Sequence, residues 1–223
     1  MSDLKAQTQA EIQDAYSHFA EGKISEAQWF EKVPAALARL YLSYEDPIRQ
    51  SGFDGDYPLW REARELVVDA FDHDGRFLDV GCANGYLMES IHGWALDRSL
   101  FVEPFGLEIS PALFKAAQRR YPKWKYQIFE GNVMTWLPTQ KFDFIRTGLE
   151  YVPPGRETDL IQHIMKTLVN TGGRLILGPF RVTEEEATAQ VIHRAGFEMA
   201  GFSSKKDRLG NERKVLWINS PAS

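Results

Sequence analysis

Two glycines, Gly81 and Gly85, punctuate the run Phe77-Leu-Asp-Val-Gly-Cys-Ala-Asn-Gly-Tyr86, in which an apolar strand-like stretch passes at once into a helix-forming one. Glycine leaves no Cβ at either position, so main-chain amides can come directly against a ligand. In an open parallel sheet the ligand crevice lies beyond the carboxyl ends of the strands, and a nucleoside is the expected occupant of such a turn. Glu108 falls twenty-three positions after Gly85, at the end of the next apolar run. A carboxylate there can accept two hydrogen bonds from vicinal ribose hydroxyls, each worth about 1.5–3 kcal/mol. A dinucleotide fingerprint would ask for G-x-G-x-x-G, whereas this chain has Ala83 and Tyr86 at the second and third glycine positions, which disfavours a nicotinamide enzyme.

Other chemistries find less support. The single cysteine, Cys82, excludes an intramolecular disulfide and a cysteine-based zinc site, and no histidine but His92 lies near it for nucleophilic catalysis. His18, His73, His92, His163 and His193 show neither H-x-x-x-H nor H-E-x-x-H spacing, so no metal site is expected.

The elements that must position the turn follow from periodicity. The first seventy or so residues carry helical spacing: Ser25 and Gln28 form a capping box opening a helix through Trp29, Val33, Leu37 and Leu40, and a second helix is predicted from about Leu59 to Phe71. From Arg76 onward short apolar runs alternate with helix-length stretches, the pattern of a mostly parallel sheet with helices on both faces. Seven strands are predicted, at Phe77–Val80, Phe105–Ile109, Tyr126–Phe129, Phe142–Ile145, Arg174–Leu177, within Phe197–Phe202, and at Val215–Ile218. Helices are predicted at about Tyr86–Gly93, Pro111–Arg120, Glu157–Val169 and Glu184–Ala195, with an N-cap at Ser110 and a capping box at Thr183–Glu186.

The 223 residues suffice for one α/β domain plus a small helical addition, and 43% hydrophobic content excludes global disorder. With 26 basic against 31 acidic residues, the net charge of -5 has the wrong sign for a broad phosphate-binding face. No apolar stretch reaches the roughly 20 residues of a membrane helix, and Met1 to Ser17 lacks the pattern of a secretory signal, so a cytoplasmic protein is expected.

The segment Leu78-Asp79-Val80-Gly81-Cys82-Ala83-Asn84-Gly85 resembles the first motif of the class I S-adenosylmethionine-dependent methyltransferases, with Ala83 in place of the middle glycine of G-x-G-x-G. Further matches are Glu108, the turn Gly131-Asn132-Val133, the run from Phe142-Asp143-Phe144 to Gly148-Leu149-Glu150-Tyr151, and Gly172-Gly173-Arg174-Leu175. The likeness spans about residues 76 to 220 and implies a Rossmann-like fold of seven strands, mostly parallel with an antiparallel last strand, at 73–223, preceded by a helical extension at 1–72. It implies S-adenosylmethionine as cofactor, contacted by Asp79, Gly81, Cys82, Ala83 and Gly85, by Glu108 and Ile109, by Asn132 and Val133, with Asn132 on the adenine N6, and by Thr147 and Leu149 near the sulfonium.

Methyl transfer from a sulfonium is an in-line displacement that needs positioning more than covalent help, so a conspicuous dyad is not required. Glu150 and Tyr151, directly after the fourth strand, are the candidates to orient or deprotonate the acceptor, with no metal. The loop Tyr151-Val-Pro-Pro-Gly155 lacks the Asn/Asp-Pro-Pro-Tyr/Phe signature of the family's amino-methylating nucleic-acid and protein enzymes. A small-molecule acceptor is therefore the expectation, with no membrane partner and a monomer or homodimer left open. The basic tracts Lys205–Arg208 and Arg213–Lys214 read as a solvated hairpin edge rather than a nucleic-acid surface. The aromatic group Tyr41, Tyr44, Phe53, Tyr57 and Trp60 divides evenly between a lid over the cofactor and plain packing. The alternatives are a cofactor-binding protein that transfers no methyl group, an RNA methyltransferase, and an NAD-dependent oxidoreductase.

Overall fold

The computed structural model describes residues 2–221. Seven strands form one sheet: β1 (Gly75–Val80), β2 (Val102–Glu108), β3 (Ile128–Glu130), β4 (Phe142–Thr147), β5 (Val169–Arg181), β6 (Gly201–Lys206) and β7 (Glu212–Asn219). Their spatial order is β3-β2-β1-β4-β5-β7-β6. The first five strands run parallel, and β7 is antiparallel to both β5 and β6. The order reverses at β1, so the carboxyl ends of β1, β2 and β4 frame the crevice where open α/β sheets place a ligand. Among the described residues seven α-helices, with short 3-10 turns between elements, accompany the sheet: α1 (Ser2–Ala20), α2 (Glu26–Leu42), α3 (Tyr57–Arg64), α4 (Tyr86–Leu96), α5 (Pro111–Arg120), α6 (Glu157–Thr167) and α7 (Glu185–Arg194). No helix among the described residues is long and apolar enough to cross a membrane.

Two apolar layers hold the sheet. On one face Leu78, Ile145, Leu175 and Leu216 pack against Leu160, Ile161 and Ile164 of α6 and Val191 and Ile192 of α7. On the other, Phe77, Phe144, Ile176 and Val215 meet Trp60, Leu66 and Val67 from the amino-terminal extension together with Ile91 of α4. The extension therefore supplies part of the core rather than trailing from it. Asn84 ties the two parts together: its buried amide nitrogen donates to the Pro47 carbonyl at 2.8 Å while its oxygen accepts from Tyr86 N at 3.1 Å.

Local signals in the sequence account for most boundaries. The capping box predicted at Ser25 forms, with Gln28 N donating to the Ser25 hydroxyl and Ser25 N to the Gln28 amide oxygen. Ser110 caps α5 through Leu113 N, with Pro111 at the first helical position. Elsewhere the structure departs from the sequence pattern. The helix predicted over Leu59–Phe71 is α3 followed by a 3-10 segment at Glu65–Ala70, whose tighter winding turns Leu66, Val67 and Val68 into the core. The capping box predicted at Thr183 does not form. The chain leaves β5 through a 3-10 turn at Val182–Glu184, so α7 begins one residue later than predicted and is capped by no side chain. The fifth strand starts at Val169, where the sequence pattern still read as helix, because β5 pairs with Phe142 there before the Gly172–Gly173 irregularity. The sixth strand lies at Gly201–Lys206 rather than within Phe197–Phe202, its polar residues being drawn into the ladder by pairing with β7.

Candidate functional site

The glycine turn closes on the sheet through main-chain bonds. Gly81 N and Cys82 N both donate to the Leu107 carbonyl, at 2.8 and 3.2 Å, and Gly85 N donates to Cys82 O at 2.8 Å. Gly81 has a φ of +71°, and a Cβ built there would lie 2.6 Å from the Tyr151 ring, so glycine is required on both counts. Ala83 also occupies the left-handed region, at φ +49°, which costs a residue with a Cβ about 1–2 kcal/mol.

Glu108 stands at the end of β2, buried, with one carboxylate oxygen accepting from Ala83 N and the other from Ser110 N, both at 2.8 Å. Burial pushes its pKa up to about 7 in spite of these two bonds. The carboxyl thus fixes the glycine turn to the start of α5 and keeps lone pairs for further donors.

A cavity of about 130 Å³ occupies the space above this turn. Its floor is Gly81, Ala83, Glu108, Ile109, Asn132 and Val133, with Glu150 and Tyr151 at one side. Its roof is α2, through Trp29, Phe30, Val33, Pro34, Leu37 and Tyr41. Of the aromatic residues weighed from sequence, Tyr41 faces the cavity, Trp60 is buried against Phe53 at 5.4 Å between ring centroids, and Tyr57 is exposed. Asn132 Oδ1 accepts from Met134 N at 2.9 Å, shaping its turn and leaving the Nδ2 donors uncommitted.

The remaining sequence-predicted residues stand around the crevice and do not line it. Cys82 is buried behind the turn beside Met88 and Tyr121, where burial and the neighbouring Glu108 and Asp79 push its thiol well above the usual range and keep it protonated. Gly85 begins α4, and Thr147 is fully buried with its hydroxyl directed to Gly148 O. Asp79 is buried beneath the turn, where one oxygen meets Arg146 Nη1 at 3.3 Å and the other has no hydrogen-bond partner. Burial raises its pKa against the pull of Arg146.

Arg146 escaped the sequence reading. It projects from β4 and is held at three points, donating from Nε to Gly178 O at 2.5 Å and from Nη1 to the Tyr151 hydroxyl at 2.9 Å and to Asp79. The available signal was a cation directly after the apolar Phe144-Ile145 pair of the strand, where burial demands a partner. Burial pushes the Tyr151 hydroxyl up to about 12 although Arg146 pulls it down, so the phenol keeps its proton at neutral pH. It can donate and orient but cannot serve as a base there. The Glu150 side chain is exposed and folds over Gly148, where an added Cβ would lie 2.4 Å from a carboxylate oxygen.

Glu150 also borders a second cavity of about 280 Å³, between Leu149 in the 3-10 turn after β4, the Gly178–Arg181 end of β5, Glu184, Thr188 and Arg213. Leu149 lines this space and not the first. No group of three or more His, Cys, Asp or Glu residues among the described ones could hold a metal ion.

No protein-family model and no curated protein matches this chain. Solved structures do match it in fold. The 1,6-didemethyltoxoflavin N1-methyltransferase of Burkholderia thailandensis, solved with 1,6-didemethyltoxoflavin and S-adenosylhomocysteine, aligns at a TM-score of 0.66 and 14% identity, over 89% of this chain and 91% of its own. The N-methyltransferase NodS of Bradyrhizobium japonicum, solved with S-adenosylhomocysteine, aligns at 0.62 and 17% identity, over 84% of this chain and 97% of its own. The 4+2 cyclase SpnF aligns at 0.53 and 16% identity, over 72% and 80%. The fold is that of the class I S-adenosylmethionine-dependent methyltransferases. At these identities the likeness is one of fold, and a cyclase among the neighbours means that the reaction has to be argued from the site.

Proposed function

We propose that this protein is an S-adenosylmethionine-dependent methyltransferase acting on a small-molecule acceptor. The observation that carries the reading is the joint placement of Gly81 and Glu108 on the floor of one crevice at the sheet's switch point, with Asn132 beside them. The residues present fit the cofactor. Glu108 has spare lone pairs for a ribose diol, and Gly81 removes the Cβ that would bar a close approach. The free Asn132 Nδ2 donors suit a ring nitrogen of adenine rather than the N6 amino group, which is itself a donor and would need the Oδ1 that already accepts from Met134 N. When bound, the cofactor supplies a methyl group already activated by the positive sulfonium.

The chain's own task is then to orient the acceptor and exclude water. Glu150, whose carboxylate makes no hydrogen bond or ion pair among the described residues, is the group that accepts a proton or hydrogen bond from the acceptor nucleophile. Tyr151, kept protonated and braced by Arg146, lies beside it on the same side of the crevice and can donate a hydrogen bond but not remove a proton.

The amino-terminal helices act as a lid in this reading. The crevice under α2, at about 130 Å³, is smaller than the ~300 Å³ at which ordinary ligand pockets begin, which favours an outward movement of α2 when a nucleoside enters. Pro34 inside α2 leaves the Phe30 carbonyl without its helical N–H partner, a natural point of flexure above the crevice. The basic hairpin gives little support to a nucleic-acid acceptor, since Lys205 pairs with Glu65 at 3.5 Å, Arg208 with Asp56 and Lys214 with Glu185 at 2.5 Å.

Calorimetric titration with S-adenosylmethionine, S-adenosylhomocysteine and NADH, on the wild type and on Glu108→Ala, tests the cofactor. Binding of the first two alone, weakened at least tenfold by Glu108→Ala, is expected, and a folded protein that binds neither would overturn the assignment. Once an acceptor is found, Glu150→Gln should slow turnover with cofactor affinity intact. An unchanged rate removes Glu150 from the mechanism and leaves the cofactor assignment standing.

A further inference from the structure

We propose that the second cavity is a carboxylate subsite formed by Arg181 and Arg213, and that the acceptor is accordingly a small organic acid whose reactive end meets Glu150. The inference deepens the methyltransferase reading and rests on it.

Arg181 and Arg213 are direct partners across the antiparallel β5–β7 ladder, and both line the second cavity. Like charges placed opposite one another weaken a sheet, so such a pair asks for a counter-charge. Asp207 lies near enough to Arg213 to feel its charge, and Glu150 and Glu184 stand on the cavity wall, yet among the described residues no carboxylate comes within 4.0 Å of either guanidinium, so neither has a paired partner. Lys205, Arg208, Lys214 and Arg174 on the same strands and hairpin each have an acidic partner, whereas Arg181, Arg213 and the exposed Lys206 have none within 4.0 Å among the described residues. Arg213 Nε is shielded from solvent and has no hydrogen-bond partner, a buried donor without an acceptor.

A third cation, Arg64, lies close enough to Arg213 to feel its charge, although it does not line the cavity. Arg64, stacked over the Phe53 and Trp60 rings at 5.1 and 5.4 Å, also lacks a carboxylate within 4.0 Å. Burial lowers its pKa to about 10, with the positive charges of Arg146 and Arg213 adding to the fall and Tyr151 and Glu150 acting against it. A planar carboxylate matches a guanidinium fork in a way that a neutral group cannot. A monoanion suits the cavity better than a phosphoryl dianion, since Glu150 and Glu184 lie on its wall and would repel the second charge. The volume of about 280 Å³ sets the size at a small molecule. Because Glu150 borders both cavities, a ligand anchored at the arginine pair reaches toward Glu150 and the cofactor crevice.

The test is calorimetry on the full chain, with and without S-adenosylhomocysteine, using benzoate and propionate as probes against benzamide and phenylphosphonate. Wild type, Arg181→Gln, Arg213→Gln and, as a control on the same hairpin, Arg208→Gln are compared, with thermal unfolding to check each fold. At least one carboxylate should bind tenfold or more tightly than benzamide and more tightly than phenylphosphonate. Arg181→Gln and Arg213→Gln should each weaken it at least fivefold, while Arg208→Gln and S-adenosylhomocysteine affinity stay unchanged. Should Arg213→Gln not fold, the exposed Arg181→Gln decides alone. Absence of carboxylate binding, equal binding of benzamide, or carboxylate affinity unaltered in Arg181→Gln overturns the subsite, and tighter phenylphosphonate binding overturns the carboxylate assignment. Carboxylate recognition without any S-adenosylhomocysteine binding would instead sink the methyltransferase reading while leaving the oxyanion site, so the two failures are told apart.

Discussion

The Tyr151 hydroxyl accepts a 2.9 Å hydrogen bond from Arg146 Nη1, the same nitrogen that meets Asp79 at 3.3 Å. One guanidinium thereby joins the loop after β4 to the strand that enters the glycine turn. Removing only the cation should leave Asp79 buried and unpaired, a loss of about 3–5 kcal/mol. Arg146→Met is expected to show it in urea unfolding, and the added Asp79→Asn substitution should recover a large part. Equal stability of the single and double variants would mean that the two residues are not coupled.

Gly81→Ala acts on the same loop from the other side. Its Cβ would drive into the Tyr151 ring and its φ of +71° would be strained, so a loss of about 1–3 kcal/mol is expected, with weaker S-adenosylhomocysteine binding. Ala83→Gly, which relieves the φ of +49° at a neighbouring position, should change stability by less than about 1 kcal/mol. A similar cost for both substitutions in denaturant titrations would refute the steric account.

Glu108 should make both folding and binding depend on pH, in opposite directions. Its pKa is raised from 4.5 to about 7, chiefly by burial. The folded chain keeps this proton where the unfolded chain has released it, so the group's contribution to stability is complete below about 4.5 and is lost as pH rises through about 7. A ribose diol needs the ionised form as acceptor. S-adenosylhomocysteine affinity should therefore rise between about pH 6 and 8, by at most about tenfold per unit, with a proton released on binding. Calorimetry in buffers of differing ionisation heat reads that proton. A flat profile, or one that persists in Glu108→Gln, would assign the titration elsewhere.

Ser25→Ala tests the roof. Loss of the cap on α2 should cost about 1 kcal/mol in stability and loosen the helix that carries Trp29 and Tyr41 over the crevice. Faster dissociation of S-adenosylhomocysteine in stopped-flow is the expected accompaniment under the lid reading. Lost stability with unchanged dissociation would make α2 a structural cover.

What the sequence determined by itself is what short-range physics controls. The change from helical to strand periodicity at Arg76, the Ser25 and Ser110 caps and the glycine turn are all set by residues within a few positions of one another, and the structure has them. Glu108 could be placed because its strand ends where its apolar run ends. The tertiary structure decided what depends on residues far apart in the chain. Strand pairing carried β5 back to Val169 and put β6 into polar residues that no period-2 pattern marks. Packing put α2 over the crevice and brought Arg146 to Asp79 and Tyr151. The opposition of Arg181 and Arg213, residues thirty-two positions apart, is a matter of register between two strands, and no local preference encodes it.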